Sequence, residues 1–205
     1  MEKIIEFFTL DPSNPVIFGG QIVGFISLAF GLINYLFTKR EHILIIKILS
    51  DLTSSIQLFM FGAIVGGSIC FLNISRSLVF YHKGSKRWAS HILVPVIFGI
   101  LTVGCSVIGW IGWLSLLPTI GSILAIIGYW CSDPRLLKLI NLPAIALWLI
   151  YNIKVGSIGP SISNTVAIIT ITVSLCGSLI AYIKSRRNTS SEEISAVKDE
   201  TPCTD

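Results

Sequence analysis

The spacing of the charges is what most constrains this chain. Apolar runs, each near the ~20 residues that a bilayer-spanning helix needs, are separated by short basic bunches. These are Lys39 and Arg40, then Lys83, Lys86 and Arg87, then Arg135 and Lys138, then Lys184, Arg186 and Arg187. A soluble domain is about a quarter charged. Here 13% of 205 residues are charged and 53% are hydrophobic, with a mean hydropathy of +0.80. The pattern is that of a polytopic, all-α membrane protein.

The apolar runs predict seven spans, at roughly 16–37, 42–62, 65–82, 89–108, 111–131, 136–153 and 158–183. Trp110 and Trp113, between the fourth and fifth, read as an interfacial aromatic belt. Every second connection is basic, while the opposite ends carry only Lys3 and Lys154. The positive-inside rule therefore predicts an N-terminus outside and a C-terminus in the cytoplasm. An odd number of spans requires the same. The start, "MEKIIEFFTLDPSNP", lacks a basic leader and a small-residue cleavage site, so it does not read as a signal peptide. The tail from 185 to 205 is polar and acidic and is expected to be disordered.

An internal repeat is visible. "GFISLAFG" at 24–31 and "GSILAIIG" at 121–128 share the spacing of their glycines. Leu49, Leu52, Val65 and Gly66 align without gaps with Leu139, Leu142, Val155 and Gly156, and after one extra residue Asn73 falls on Asn164. The expected architecture is two parallel three-helix repeats joined by an inversion helix (3+1+3), because three helices are an odd number and a fourth is needed to restore the direction. The corresponding segments are 1–15, outside the cytoplasm; 16–82, the first repeat; 83–110, the connector with its linking helix; 111–184, the second repeat; and 185–205, the tail.

The repeat gives a meaning to "GSIGPSISN", residues 156–164. Gly66 and Gly156 are expected to turn the chain, and Pro160 to sit in the first turn of span seven, where its missing N–H has no partner to lose. Asn73 and Asn164 then face a central cavity. A primary amide both donates and accepts, which suits a neutral polar solute. The opposing reading is that each amide only bonds a neighbouring helix.

Lys47 and Asp51 stand at i,i+4 in span two and can pair on one helix face. They read as an ion pair at the cytoplasmic end or, functionally, as a proton-coupling carboxylate with its partner. Arg76 lies one turn beyond Asn73, where it can meet an anionic substrate or pair with Asp51; the pair with Asp51 is expected. Catalysis is not expected. His42, His82 and His91 lie at span ends, and no HExxH, GxSxG or Walker loop is present. Cys70, Cys105, Cys131, Cys176 and Cys203 form no CxxC or Cys/His spacing, so neither a metal nor a cofactor is expected.

The segment "LWLIYNIKVGSIGPSISNTVAIITITV" resembles the last two helices of SWEET and SemiSWEET sugar transporters. That resemblance implies a sugar-like pocket lined by Asn164 and Trp148, with Asn73 in the first unit. The first unit has no Trp, and Ser54 and Gln57 are the polar residues nearest the equivalent place. The Pro-Gln pair of PQ-loop proteins is absent, and only Pro118 and Pro143 stand where hinge prolines would. Over roughly 16–185 the chain is more closely similar to the YgjV family of bacterial inner-membrane proteins, on "GGQIVGF", "FLNISRSLVF", "LLPTIGSI" and "LIYNIKVGSIGPSISN". That likeness implies a fold and a location but no substrate.

The expected function is transport or facilitated passage of a small polar solute through a midplane site. The alternative is a non-transporting structural or partner-binding membrane subunit, in which Phe59, Met60 and Leu149 would fill the central space. The expected partners are the lipid bilayer and the solute, with a homo-oligomer left open; the net charge of +4 belongs to the basic connections and does not point to nucleic acid.

Overall fold

The computed structural model describes residues 14–33, 40–82, 86–131 and 133–177. The first thirteen residues, the end of the first expected span, Lys83, and everything from 178 through the tail lie outside the described residues. Seven α-helices are described: α1 Pro15–Ile33, α2 Arg40–Met60, α3 Ile64–Tyr81, α4 Leu93–Ile108, α5 Leu116–Trp130, α6 Pro134–Val155 and α7 Ile158–Gly177. Short 3-10 turns, Arg87–Ser90 and Trp113–Ser115, lead into α4 and α5.

Five stretches are both long enough and apolar enough to cross a membrane: α1, α3, α6, α7, and α5 taken together with the 3-10 turn before it, Trp113–Trp130. α2 is long enough but carries Lys47, Asp51 and a run of Ser and Thr. α4 is apolar but only 16 residues long, about 24 Å at 1.5 Å per residue, short of a hydrocarbon core of ~30 Å. Two of the seven expected spans therefore fail one criterion each, and the fourth begins later than its sequence run because residues 87–90 wind as a 3-10 turn.

Beside an apolar core that includes Leu58, Ile69 and Tyr151, the described bundle buries many polar residues and exposes many large apolar ones. Buried positions include Gln21, Ser27, Ser55, Gln57, Asn73, Arg76, Thr102 and Ser106, whereas Ile100, Val107 and Ile108 are exposed, the last at 90%. Such an outside is favourable only against an apolar medium, and in that medium every interior polar group must find its partner within the protein. This is the arrangement of a protein embedded in a lipid bilayer.

Chain neighbours pack on one another from α1 to α6, and α3 also touches α5. α6 meets α7 through Lys138 Nζ, which donates to Ser174 Oγ at 2.6 Å. Small residues set the close approaches. A Cβ on Gly159 of α7 would collide with the backbone carbonyl of Gly24 in α1, and one on Gly31 would meet Ser163 Oγ at 2.5 Å. α1 and α7, at opposite ends of the described chain, are thus in backbone contact. Serines tie α1 to α2: Ser27 Oγ lies 2.6 Å from Ser54 Oγ and donates to the Ser50 carbonyl at 3.1 Å. Thr119 Oγ1 donates to Ser106 Oγ at 2.7 Å and joins α4 to α5.

Two turns differ in a way the repeat alignment does not anticipate. Gly156, at φ +81°, ends α6 as expected. In the first half the glycine with positive φ is Gly62, at +70°, and Gly66 lies inside the first turn of α3. The expected turn role of Gly66 is therefore corrected. α2 stops at Met60 whereas α6 runs on to Val155, so the gap-free pairing of Gly66 with Gly156 matches a helical residue to a turn. Gly66 is held instead by a long-range bond: its N–H donates to the Tyr151 hydroxyl of α6 at 3.1 Å, and a Cβ there would strike that ring.

Candidate functional site

A cavity of about 250 Å³ lies between the helices. Each of the lining helices gives it one stripe. α2 contributes Lys47, Ser50, Asp51, Ser54 and Leu58, and α6 contributes Asn141, Ala144, Ile145, Trp148 and Asn152. Residues four, seven and eleven positions apart share one helix face, and that spacing runs through both stripes. α1 adds Ser27 and Gly31; α3 adds Cys70, Asn73 and Arg76; α5 adds Ser122, Ala125 and Tyr129; α7 adds Pro160, Ser163, Asn164 and Ala167. α4, the connector, contributes nothing to the lining.

Asn73, Asn164, Trp148 and Ser54 all border this cavity, as do Lys47, Asp51, Arg76 and Pro160. Asn73 is buried and Asn164 is half-buried. They do not stand at matching distances from the turns that precede their helices. From the positive-φ glycine before each helix, Gly62 to Asn73 is eleven residues and Gly156 to Asn164 is eight. The difference is close to one helical turn.

Gln57 is placed elsewhere. It is fully buried, it does not line the cavity, and it accepts from Ser157 Oγ at 3.0 Å. Its side chain is turned toward Gly24, whose missing Cβ leaves room for it. The position matching Trp148 is Leu58. Under the gap-free alignment, Asp51, Ser54 and Leu58 fall on Asn141, Ala144 and Trp148, and all six border the cavity. The prolines also sort themselves. Pro160 and Pro118 each occupy the third position of a helix, where no intrahelical N–H is needed. Pro118 is therefore a helix-start proline, not the interior hinge expected of it. Pro143 lies inside α6, on its exposed side.

The charged residues are arranged unequally. Lys47 Nζ lies 3.1 Å from Asp51 Oδ2 and donates to Oδ1 at 3.2 Å, so this pair forms as expected. Arg76 does not form the expected ion pair with Asp51. Its guanidinium lies over the Tyr129 ring, 5.4 Å from the centroid, and it is only 3% exposed. Lys47 reaches Asp51 along the same helix, while the aromatic face of α5 takes up the guanidinium. Arg76 Nη1, Ser122 Oγ and Asn152 Oδ1 are buried and have no hydrogen-bond partner among the described residues.

Aromatic packing fixes the other wall. Trp148 meets Tyr151 edge-on, with centroids 5.8 Å apart and planes at 88°. Gly121 of α5 leaves room for the indole; a Cβ there would lie 2.9 Å from Trp148 Cδ1. Phe59, Met60 and Leu149 do not line the space, and Phe59 is turned outward at 47% exposure. No group of three or more potential metal ligands exists among the described residues.

Sequence reasoning missed Tyr129, Ser122, Asn141 and Asn152. A signal for the two asparagines was present: they stand seven residues before and four after Trp148, inside the basic ends of α6. Ser122 and Tyr129 also stand seven residues apart and so share a face of α5.

A family model described as Imp-YgjV, bacterial inner membrane protein, matches residues 18–179. Neither a curated protein nor a solved structure matches the chain. The SWEET likeness therefore remains one of the quoted segment.

Proposed function

Because the chain belongs to the Imp-YgjV family of bacterial inner membrane proteins, we propose that it carries a small polar solute across that membrane through the cavity between its helices. The observation that carries the reading is the character of this space. Its lining is drawn from α1, α2 and α3 in the first half and from α5, α6 and α7 in the second, and hydroxyls, amides and all three charged groups of the lining converge there. Polar groups at membrane depth are expensive and lean towards a function. A purely structural core would fill the space, yet the bulky candidates Phe59, Met60 and Leu149 do not enter it. At about 250 Å³ the volume is just under the ~300 Å³ at which small-molecule pockets usually begin, which points to a solute of few atoms.

On this reading the two halves are the parallel repeats, α4 is the inversion helix, and access alternates as one half rocks on the other. The register of Asp51, Ser54 and Leu58 with Asn141, Ala144 and Trp148 supports it. The basic connections set the N-terminus outside. Asn73, Asn164 and Ser54 would bond the solute, and Trp148 would offer it a flat face.

The test is flux. Proteoliposomes holding the full chain are shrunk by a hyperosmotic step and their re-swelling is followed by light scattering. The solutes are small polyols and the potassium salts of small acids, with valinomycin present to balance charge. At least one solute enters at least tenfold faster than into protein-free vesicles, and Asn164→Ala or Trp148→Ala removes most of the gain. If no solute enters faster, the carrier reading is abandoned for that of a structural or partner-binding subunit.

A further inference from the structure

Resting on that reading, the geometry points to a substrate class that the neutral-solute expectation leaves out: we propose that the cavity binds a small organic monoanion, a carboxylate bearing hydroxyl groups, with Arg76 as its counter-ion.

The argument is one of charge. Three formally charged side chains border the space, Lys47, Asp51 and Arg76. Lys47 and Asp51 neutralise each other in direct contact. One positive charge is left, on a guanidinium that is 3% exposed. Removing an unpaired cation from water is costly, and a protein retains one only where something offsets it. The Tyr129 ring covers one face of the guanidinium, but a ring quadrupole offsets only part of a full charge. Its Nη1 has no hydrogen-bond partner among the described residues.

A guanidinium edge is matched by a planar carboxylate, which accepts two parallel N–H bonds. The residual charge of one also fits a monoanion better than a phosphate monoester, which carries close to two negative charges at neutral pH. Three further atoms without a hydrogen bond border the same space, and one of them, Asp51 Oδ2, is held by the Lys47 ammonium at 3.1 Å. Ser122 Oγ can donate to the carboxylate or accept from a hydroxyl, and Asn152 Oδ1 accepts a hydroxyl proton. The set of free groups is thus one cationic donor, one two-way hydroxyl and one neutral acceptor. A hydroxy acid satisfies all three, and a sugar would leave the cation uncompensated.

The experiment compares matched pairs that differ in one group: gluconate with sorbitol, and lactate with propane-1,2-diol, at constant ionic strength. Thermal unfolding of the purified full chain is recorded with each. The acids raise the midpoint by roughly 5–10 °C at a hundredfold excess over Kd and the alcohols do not; Arg76→Lys, which keeps the charge without the fork, retains part of the shift and Arg76→Gln loses it. If the alcohols shift the midpoint as much as the acids, the anion inference is overturned while the carrier reading stands. If neither class produces a shift, both fall. Should Arg76→Gln not fold, Asp51→Asn decides instead, because it releases Lys47 as a second cation. The ratio of gluconate to sorbitol affinity then rises severalfold, and an unchanged ratio overturns the proposal.

Discussion

Gln21 Nε2 donates to the carbonyl of Gly156 at 2.7 Å, across 135 positions of sequence. The same amide accepts from the N–H of Ile158 at 3.3 Å. One fully buried side chain on α1 thus holds both sides of the turn between α6 and α7, where Gly156 sits at φ +81°. Replacing it by Leu keeps the bulk and orphans two backbone groups. Gln21→Leu is expected to lower stability by roughly 2–4 kcal/mol. Gly156→Ala adds a Cβ in left-handed backbone and costs about 1–2 kcal/mol. Thermal melts in one detergent measure both; a Gln21→Leu midpoint equal to the parent's would show that the turn stands without the amide.

The α1–α7 contact predicts a graded glycine series. Gly159→Ala places its methyl against the Gly24 carbonyl, a backbone atom that cannot rotate away. The variant is expected to lose folded yield or several kcal/mol of stability. Gly104→Ala, with nothing within 4 Å of its Cβ, is expected to be neutral or to gain up to about 1 kcal/mol from helix propensity. Equal behaviour of the two in size-exclusion profiles and melts would mean that α1 does not lie against α7.

Lys47 and Asp51 are expected to respond unequally. Without Lys47, Asp51 still shares the cavity with Arg76, which can serve as its counter-ion. Without Asp51, two cations are left in one space. Asp51→Asn should therefore be the more destabilising, by roughly 1–3 kcal/mol against less than ~1 for Lys47→Gln. Urea titration of the two single variants and the double variant measures the order. The reverse order would mean that Arg76 does not reach the carboxylate.

Cys70 provides a probe of access, because its largely buried thiol lies in the cavity wall. In a variant that keeps Cys70 alone, small charged methanethiosulfonates should react far more slowly than with a surface thiol. The anionic reagent should outpace the cationic one by several-fold at low salt, as a cavity with one uncompensated positive charge requires. Mass spectrometry over a time course reads both rates. Rapid labelling with no preference for charge would be inconsistent with a cationic space walled by a buried thiol.

The legible part of the site was the part carried by residue type. Asn73, Asn164, Trp148, Lys47, Asp51 and Arg76 stand out because amides, ions and an indole are conspicuous in apolar runs. Gln57 stood out for the same reason and does not line the cavity, since its face of α2 is turned to Ser157. The two asparagines lie at different distances from their turns, and one extra residue in an alignment does not show where each helix begins. That is set by Gly62 and Gly156.

The sequence alone determined the environment and the helices. Apolar runs of membrane length, interrupted by basic bunches, leave a chain little choice but helices in a bilayer, because no backbone group there can bond to water. The tertiary structure alone decided who faces whom. Lys47 and Asp51 find each other within one helix, a relation that spacing already dictates. Arg76 over Tyr129, Gln21 on the Gly156 turn and Tyr151 on Gly66 join helices far apart in the chain. Such contacts depend on how close two helices come and at what rotation. In this protein those are set by glycine contacts such as Gly24 with Gly159, whose meaning appears only when the partner is known.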